Sequence, residues 1–445
     1  MTAEIAVMNR EAIALAADSA VTFRDEMGQK IFTSASKIFT LSKYQPVGVM
    51  IYGSASFMGI PWETIIKIYR NELGQKAFKT IDKYAEHFLT FLTEKKQLSP
   101  DNGQNLYVES SIYSYFRFME GETTKKAEEV IEETVIEEIT SQIVRDHFVK
   151  WREAKSVPSV PEDFIGDFRQ KYRNLIRTAK KMFGGELPLT RSASRQLTEI
   201  AVNLFVKFPT GLLVPNTSGV VIAGFGVEDI FPVLESFSVG GKIDDYLKHQ
   251  RNEAECVELI FPTNATIVPF AQSEMVSTFM EGVDPDYQEI INGCMSRICS
   301  VYPQILVDNI DCLDEQGKEN EKKRLEEIGK NMLDAYTNAL SDYRQANHIS
   351  PVMRVVQALP KDELAAMAET LINLTSFKRR VSMAAETVGP PIDVAVISKG
   401  DGFIWIKRKS YFEREFNQRF FANYYKEDDA NGNETTEASE ATEEE

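Results

Sequence analysis

Hydrophobic positions change their spacing several times along the chain. Residues 2 to 60 and 217 to 270 carry short apolar runs closed by tight turns and predict strands, while 61 to about 208 and 284 to 379 carry apolar positions at helical spacing. Strands return at 391 to 408. The helical signal is strongest over Thr123 to Glu153, where Val135, Ile139, Ile143 and Phe148 recur among glutamates and lysines, the stripe of a helix packed on one face. Strands, long helices, strands, helices, strands is not the strict alternation of a doubly wound protein. It predicts an α+β architecture of antiparallel sheets with helices on their outer faces and a helical insertion, with boundaries near 60 to 76 and 208 to 217. No repeat of 20 to 50 residues and no sustained heptad pattern interrupts this order.

Two predicted hairpins bring chemistry together. Thr2 to Met8 and Ala12 to Ala17 flank Asn9-Arg10-Glu11, a three-residue loop that pairs positions summing to 20 and sets Thr2 opposite Asp18. Lys37 to Lys43 and Val47 to Gly53 flank Tyr44-Gln45-Pro46, with sums of about 90 that set Lys37 opposite Gly53. A threonine after the initiator methionine becomes amino-terminal when that methionine is trimmed, and the expectation is that Met1 is removed and no longer propeptide precedes it. Its α-amine, with a pKa of roughly 7.7 to 8.0, can then serve as base for a hydroxyl that is a poor nucleophile unaided. A lysine ammonium near the hydroxyl favours the alkoxide, an aspartate keeps that lysine charged, and a glycine amide at a strand end suits an oxyanion hole. Singly, Thr2, Asp18, Lys37 and Gly53 have ordinary structural readings. Their combination carries the weight.

Composition narrows the partners. The formal charge is −17, of which the last twenty residues, with nine acids and one lysine, hold −8. The body is therefore about −9, which argues against nucleic acid as a ligand, since that binding needs a cationic surface. Residues 426 to 445 predict a solvated, disordered acidic tail. The longest apolar run, Val220 to Val227, is about eight residues against the roughly 20 that a membrane span needs, and Glu4, Arg10 and Glu11 break up any signal-peptide core. A cytoplasmic address follows as the default, with Cys256, Cys294, Cys299 and Cys312 reduced and buried. The four histidines lack ligand spacing and are expected at surface or cap positions. No P-loop, HExxH, GxSxG or paired-cysteine motif is present, so neither cofactor nor metal is expected, and any unfolding of substrates would fall to a separate ATPase.

The amino-terminal motifs resemble a proteasome β subunit, an N-terminal nucleophile hydrolase: Thr2 before an apolar strand, Ala16-Ala17-Asp18-Ser19, Lys37-Ile38-Phe39 and Gly53-Ser54-Ala55. Val220 to Gly226 and Phe231 to Gly240 are similar to the family's central hairpin, and 361 to 375, 392 to 398 and 403 to 407 to its closing elements. The resemblance implies a four-layer αββα sandwich of antiparallel sheets, divided as 2–76, 216–302 and 350–425 with insertions at 77–215 and 303–349. It implies Thr2 as nucleophile, Asp18 and Lys37 tuning it and the Gly53 amide as oxyanion donor. Ser273, or Gln272, in Phe270-Ala271-Gln272-Ser273 is the candidate for the family's supporting serine. Glu386 is the candidate for a further carboxylate, with a plain Gly389-Pro390-Pro391 turn as its alternative. The function implied is a threonine-type amidohydrolase acting on a peptide. Cleavage of a small amide and a scaffold with a vestigial site stay open, as do a homo-oligomer and a partner protein at the 77–215 insert.

Overall fold

The computed structural model describes residues 2–25, 28–127, 132–212, 214–260, 264–310, 314–382, 388–410, 412–413 and 415–419. The chain divides into a body, 1–408, and a carboxy-terminal segment, 409–445. The tail 426–445 and Glu386 lie outside the described residues.

The body opens with strands β1 (Ala3–Asn9), β2 (Ala12–Ala17), β3 (Val21–Asp25), β4 (Gly28–Phe32), β5 (Ile38–Thr40), β6 (Val47–Gly53), β7 (Ser56–Phe57) and β8 (Ile60–Pro61). Helices α1 (Trp62–Leu73), α2 (Ile81–Glu94), α3 (Asp101–Lys126), α4 (Glu133–Glu153), α5 (Phe164–Lys171), α6 (Arg173–Glu186) and α7 (Arg191–Asn203) follow. Next come β9 (Ser218–Gly224), β10 (Val233–Ile243), β11 (Tyr246–Arg251), β12 (Val257–Glu258) and β13 (Ala265–Ala271). Helices α8 (Glu274–Glu281), α9 (Pro285–Asp308), α10 (Glu315–Arg344), α11 (Ser350–Val356) and α12 (Lys361–Val381) precede β14 (Asp393–Ser398) and β15 (Gly402–Lys407). No helix among the described residues is long and apolar enough to cross a membrane.

The α+β expectation with antiparallel sheets is met. One sheet has the order β13-β1-β2-β14-β15 and a second β11-β10-β9-β6-β5, with β12 added beside β10. All of these ladders are antiparallel. Side-chain alternation explains how they stack. Ala6, Met8, Ile13 and Leu15 of the first sheet pack against Met50, Val221 and Ala223 of the second. The opposite faces, Ile5, Val7, Ala14 and Ala16 in the first sheet and Val49, Ile51 and Val220 in the second, pack against α11–α12 and α1–α2 respectively. Strands buried on both faces carry apolar residues throughout, which is why β1 and β2 read as runs and not as alternation. Alanines face α12, so helix and strand can approach closely.

Both hairpin registers differ from those predicted. Glu4 pairs with Ala17 and Met8 with Ile13, a sum of 21, so Thr2 is not opposite Asp18; the Asp18 amide instead donates to the Ala3 carbonyl. The cause is Asn9. Its side-chain oxygen accepts from the Glu11 and Ala12 amides, closing a two-residue loop with Asn9 still in β1, while its amide donates to the Val356 and Leu359 carbonyls. In the second hairpin Ile38 pairs with Met50, a sum of 88, because Ser42 caps a longer turn by accepting from the Tyr44 and Gln45 amides. Lys37 is therefore opposite Ile51, whose amide donates to its carbonyl, and not opposite Gly53.

Helices α3 to α7 build a core of their own. The continuous stripe predicted over 123–153 is divided between the end of α3 and the start of α4, and Val130 and Ile131 lie outside the described residues. His147, expected at the surface, is buried: Tyr115 and Glu122 contact its two ring nitrogens at 2.8 Å each, and the Trp151 indole donates to the Tyr115 hydroxyl. Cys294, expected in the core, is exposed, and Cys256 and Cys299 are half-buried.

Asn9→Ala is expected to lower stability by about 2–4 kcal/mol, since it strips one buried carbonyl, one part-buried carbonyl and two turn amides of their partners at once. Urea unfolding measures this, and a loss below about 0.5 kcal/mol, the level of an indifferent surface change, would contradict the turn's role.

Candidate active site

Thr2 and Asp18 meet because neither belongs to a strand. Each sits one residue outside it, Thr2 before β1 and Asp18 after β2, so strand alternation does not dictate where their side chains point. Asp18 turns the chain through its own carboxylate: Oδ2 accepts from the Ala20 amide at 2.9 Å, an Asx-type turn, and from the Gly389 amide at 3.3 Å. Its Oδ1 accepts from the Ala3 amide at 3.0 Å. The twelve-residue excursion that follows closes on itself, Val21 pairing with Phe32, and the Ala35 amide donates to the Ser19 carbonyl. Lys37 is thereby returned beside Asp18 whatever the length of the hairpin between them.

The Lys37 Nζ donates to Asp18 Oδ1 at 2.5 Å and also to the Thr2 hydroxyl oxygen, and it lies 3.4 Å from Glu4 Oε1. The Thr2 hydroxyl is 2.5 Å from Glu4 Oε1 and 2.9 Å from Asp18 Oδ1. All four residues are buried, Thr2 at 7%, Glu4 at 1%, Asp18 at 0% and Lys37 at 6% exposure. An ammonium this deep is tolerated because a carboxylate faces it directly, that of Asp18.

Glu4 was not among the residues singled out from the sequence. Burial pushes its carboxyl up to about 7, against the attraction of Lys37 and with the repulsion of Asp18. Its Oε2 is buried without a hydrogen-bond partner among the described residues. The available signal was a single acid inside the otherwise apolar run from Ala3 to Met8.

Of the remaining candidates, Gln272 follows Ala271, the register partner of Ala3, and so adjoins Thr2 along the β1–β13 ladder. Gly53 ends β6 at φ 80°, where an added Cβ would come 2.8 Å from the Thr217 carbonyl, and this turn accounts for the glycine. Among the described residues no hydrogen bond joins Gly53 to Thr2. Ser273 begins α8 with an exposed side chain that makes no capping bond, and Gln272 accepts from Arg379 Nε. Of the carboxy-terminal candidates, the Gly389-Pro390-Pro391 segment reaches the site: the Gly389 amide binds Asp18, and the Ser19 hydroxyl donates to the Pro391 carbonyl. Three acids, Glu274, Asp284 and Asp286, lie close together elsewhere, but Lys378 already binds the first two.

No family model and no curated protein matches this chain. Solved structures of Anbu proteins resemble it. The Anbu complex from Pseudomonas aeruginosa, described as a helical assembly, aligns at TM-score 0.31 and 7% identity over 95% of this chain and 93% of that one. Anbu, the ancestral beta-subunit, from Yersinia bercovieri aligns at 0.27 and 9% over 95% and 94%, and a Gly-1 mutant of Anbu from Hyphomicrobium sp. strain MC1 at 0.28 and 9% over the same shares. The expected likeness to a proteasome β subunit carrying a helical insertion is corrected: these three similar structures are of Anbu proteins. Short motifs at strand ends describe a local strand arrangement and do not specify how the long segments between them are organised.

Proposed function

We propose that this chain is a threonine-type amide-bond hydrolase, acting on peptides, in which Thr2 becomes the amino-terminal nucleophile once Met1 is removed. One observation carries the proposal: the Thr2 hydroxyl is enclosed between the Lys37 ammonium and the carboxylates of Asp18 and Glu4. A solvent-facing threonine needs no such surroundings. An ammonium donating into the hydroxyl oxygen stabilises the alkoxide as its proton leaves, and Asp18 holds that ammonium in place through a contact of 2.5 Å. The oxygen would attack the scissile carbonyl to give an acyl-enzyme, which water then hydrolyses. Four backbone and side-chain donors on Asp18 fix its position before substrate arrives, the preorganisation that electrostatic catalysis requires.

Removal of Met1 also improves the electrostatics. Two carboxylates face one lysine, and a free α-ammonium on Thr2 adds a second cation within the same enclosure. A sheet-and-helix sandwich of the N-terminal nucleophile type is the architecture in which such a residue would work, and the layers described above are compatible with it.

Intact-mass measurement of purified protein is expected to show Met1 absent, and its retention in the purified enzyme would end the proposal. A covalent electrophile directed at amino-terminal threonine should label wild type and leave Thr2→Ala unlabelled. Lys37→Met should fold, as judged by circular dichroism, and react slower by on the order of 10² to 10⁴. Equal labelling of wild type and Thr2→Ala would show that the nucleophile lies elsewhere.

A further inference from the structure

The hydroxyl of Thr2 has one proton and two carboxylates within reach, and the geometry decides between them. Asp18 is already engaged on both oxygens. Its Oδ1 accepts from the Ala3 amide and from Lys37, and its Oδ2 from the amides of Ala20 and Gly389. Glu4 is closer to the hydroxyl, 2.5 Å against 2.9 Å, and far less satisfied. Its Oε1 faces Thr2 with Lys37 at 3.4 Å, and its Oε2 has no hydrogen-bond partner among the described residues. Lys37 donates into the hydroxyl oxygen, so the hydroxyl's own hydrogen is directed away from the ammonium and toward a carboxylate. We infer that Glu4 is the general base that accepts the proton of the Thr2 hydroxyl, an inference that rests on Thr2 being the nucleophile.

A buried carboxylate short of donors binds a proton more readily than one holding four. Its upward displacement to about 7, caused first by burial, agrees with this, and a base serves best when its pKa lies near working pH. The titratable groups around Glu4 are Asp18 after β2, Lys37 before β5, Tyr52 on β6, whose phenol is pushed up by burial and in part by Glu4, and the α-amine of Thr2 once freed. Glu4 is the second residue of β1 and Thr2 immediately precedes that strand, so the proton acceptor and the nucleophile are carried two residues apart on one segment.

The steps balance. Oγ bonds to the carbonyl carbon, the carbonyl π pair moves onto its oxygen, and the Oγ proton passes to Glu4 Oε1. Collapse breaks the carbon–nitrogen bond, and the nitrogen leaves as an amine with the proton that Glu4 returns, giving an ester on Thr2. Water then adds to the ester and gives a proton to Glu4, and Thr2 departs as the alcohol with that proton. No other co-reactant is needed.

The test is the pH dependence of labelling at Thr2 by an amino-terminal-threonine electrophile. Wild type, with Met1 removed, is expected to show a rising limb as the Glu4 carboxyl loses its proton. Glu4→Gln should lose that limb and react at least about 10² slower at pH 8. A Glu4→Gln variant labelled at the wild-type rate with the same midpoint would overturn the inference. Thermal melts check the fold. A carboxyl raised in the folded state destabilises as pH rises through its folded value, so Glu4→Gln should melt above wild type at pH 8 and level with it at pH 5. Should Glu4→Gln fail to fold, Glu4→Asp decides: slower labelling with a displaced midpoint supports the role, and unchanged rate and midpoint oppose it. A label on Thr2 that is indifferent to Glu4 removes only the role of Glu4, whereas no label on wild-type Thr2 at any pH removes the nucleophile and its base together.

Discussion

A carboxylate with no exposed surface must find donors or lose its charge, and Asp18 finds them on four separate segments. The Ala3 amide comes from β1, the Ala20 amide from the turn after β2, the Gly389 amide from the approach to β14, and the Lys37 ammonium from the approach to β5. The first three belong to one sheet and the fourth to the other. Asp18 is thus where the two sheets are tied together by charge and not only by apolar contact. Removing it would leave Lys37 facing Glu4 alone and three amides short of an acceptor, and the cost of such orphaned buried groups exceeds what a typical hydrogen bond adds when made.

The apolar layer between the sheets makes that knot possible. Ala6, Leu15, Met50 and Val221 exclude water from the middle of the sandwich, so the charged group lies at its edge where the strands run out. Charge in the interior of β1 or β2 would have no such choice of partners, because strand amides there are committed to the ladder. The ends of strands supply free amides and residues released from alternation. Thr2, Asp18 and Lys37 are all of this kind, and each is one residue outside its strand.

This arrangement also explains what was legible in the sequence. The alternation of strand and helical segments was readable because both sheets and helices bury apolar faces at fixed periods. The meeting of Thr2, Asp18 and Lys37 was readable as well, although both predicted registers were off, by one position in the first hairpin and two in the second. The errors arose where side chains set loop length: Asn9 and Ser42 bind backbone amides and so decide how many residues the turn uses. The grouping survived because the site residues lie beyond the strands, where an Asx-type turn and long side chains can absorb a slip. Only the pairing of Lys37 with Gly53, drawn from register alone, was lost with the slip, Ile51 taking that place. Glu4 was passed over because a lone acid in a strand ordinarily marks a solvent face, and only the stacking of a second sheet shows that this face is closed.

Glu4 is therefore the residue whose presence stability alone does not explain. Its carboxyl is disfavoured as an ion by burial, it repels Asp18, and one of its oxygens lacks a donor among the described residues. A leucine or glutamine there would spare the fold most of that burden, since neither would need to be kept charged in the interior. Asp18 by itself is enough to hold the Lys37 ammonium, at 2.5 Å compared with 3.4 Å for Glu4. The second carboxylate is thus surplus as a counter-ion but well placed as a proton acceptor, because it meets the Thr2 hydroxyl at 2.5 Å. Groups that cost stability and face a reactive atom are commonly retained for chemistry, and the imbalance of two acids against one lysine is of that kind.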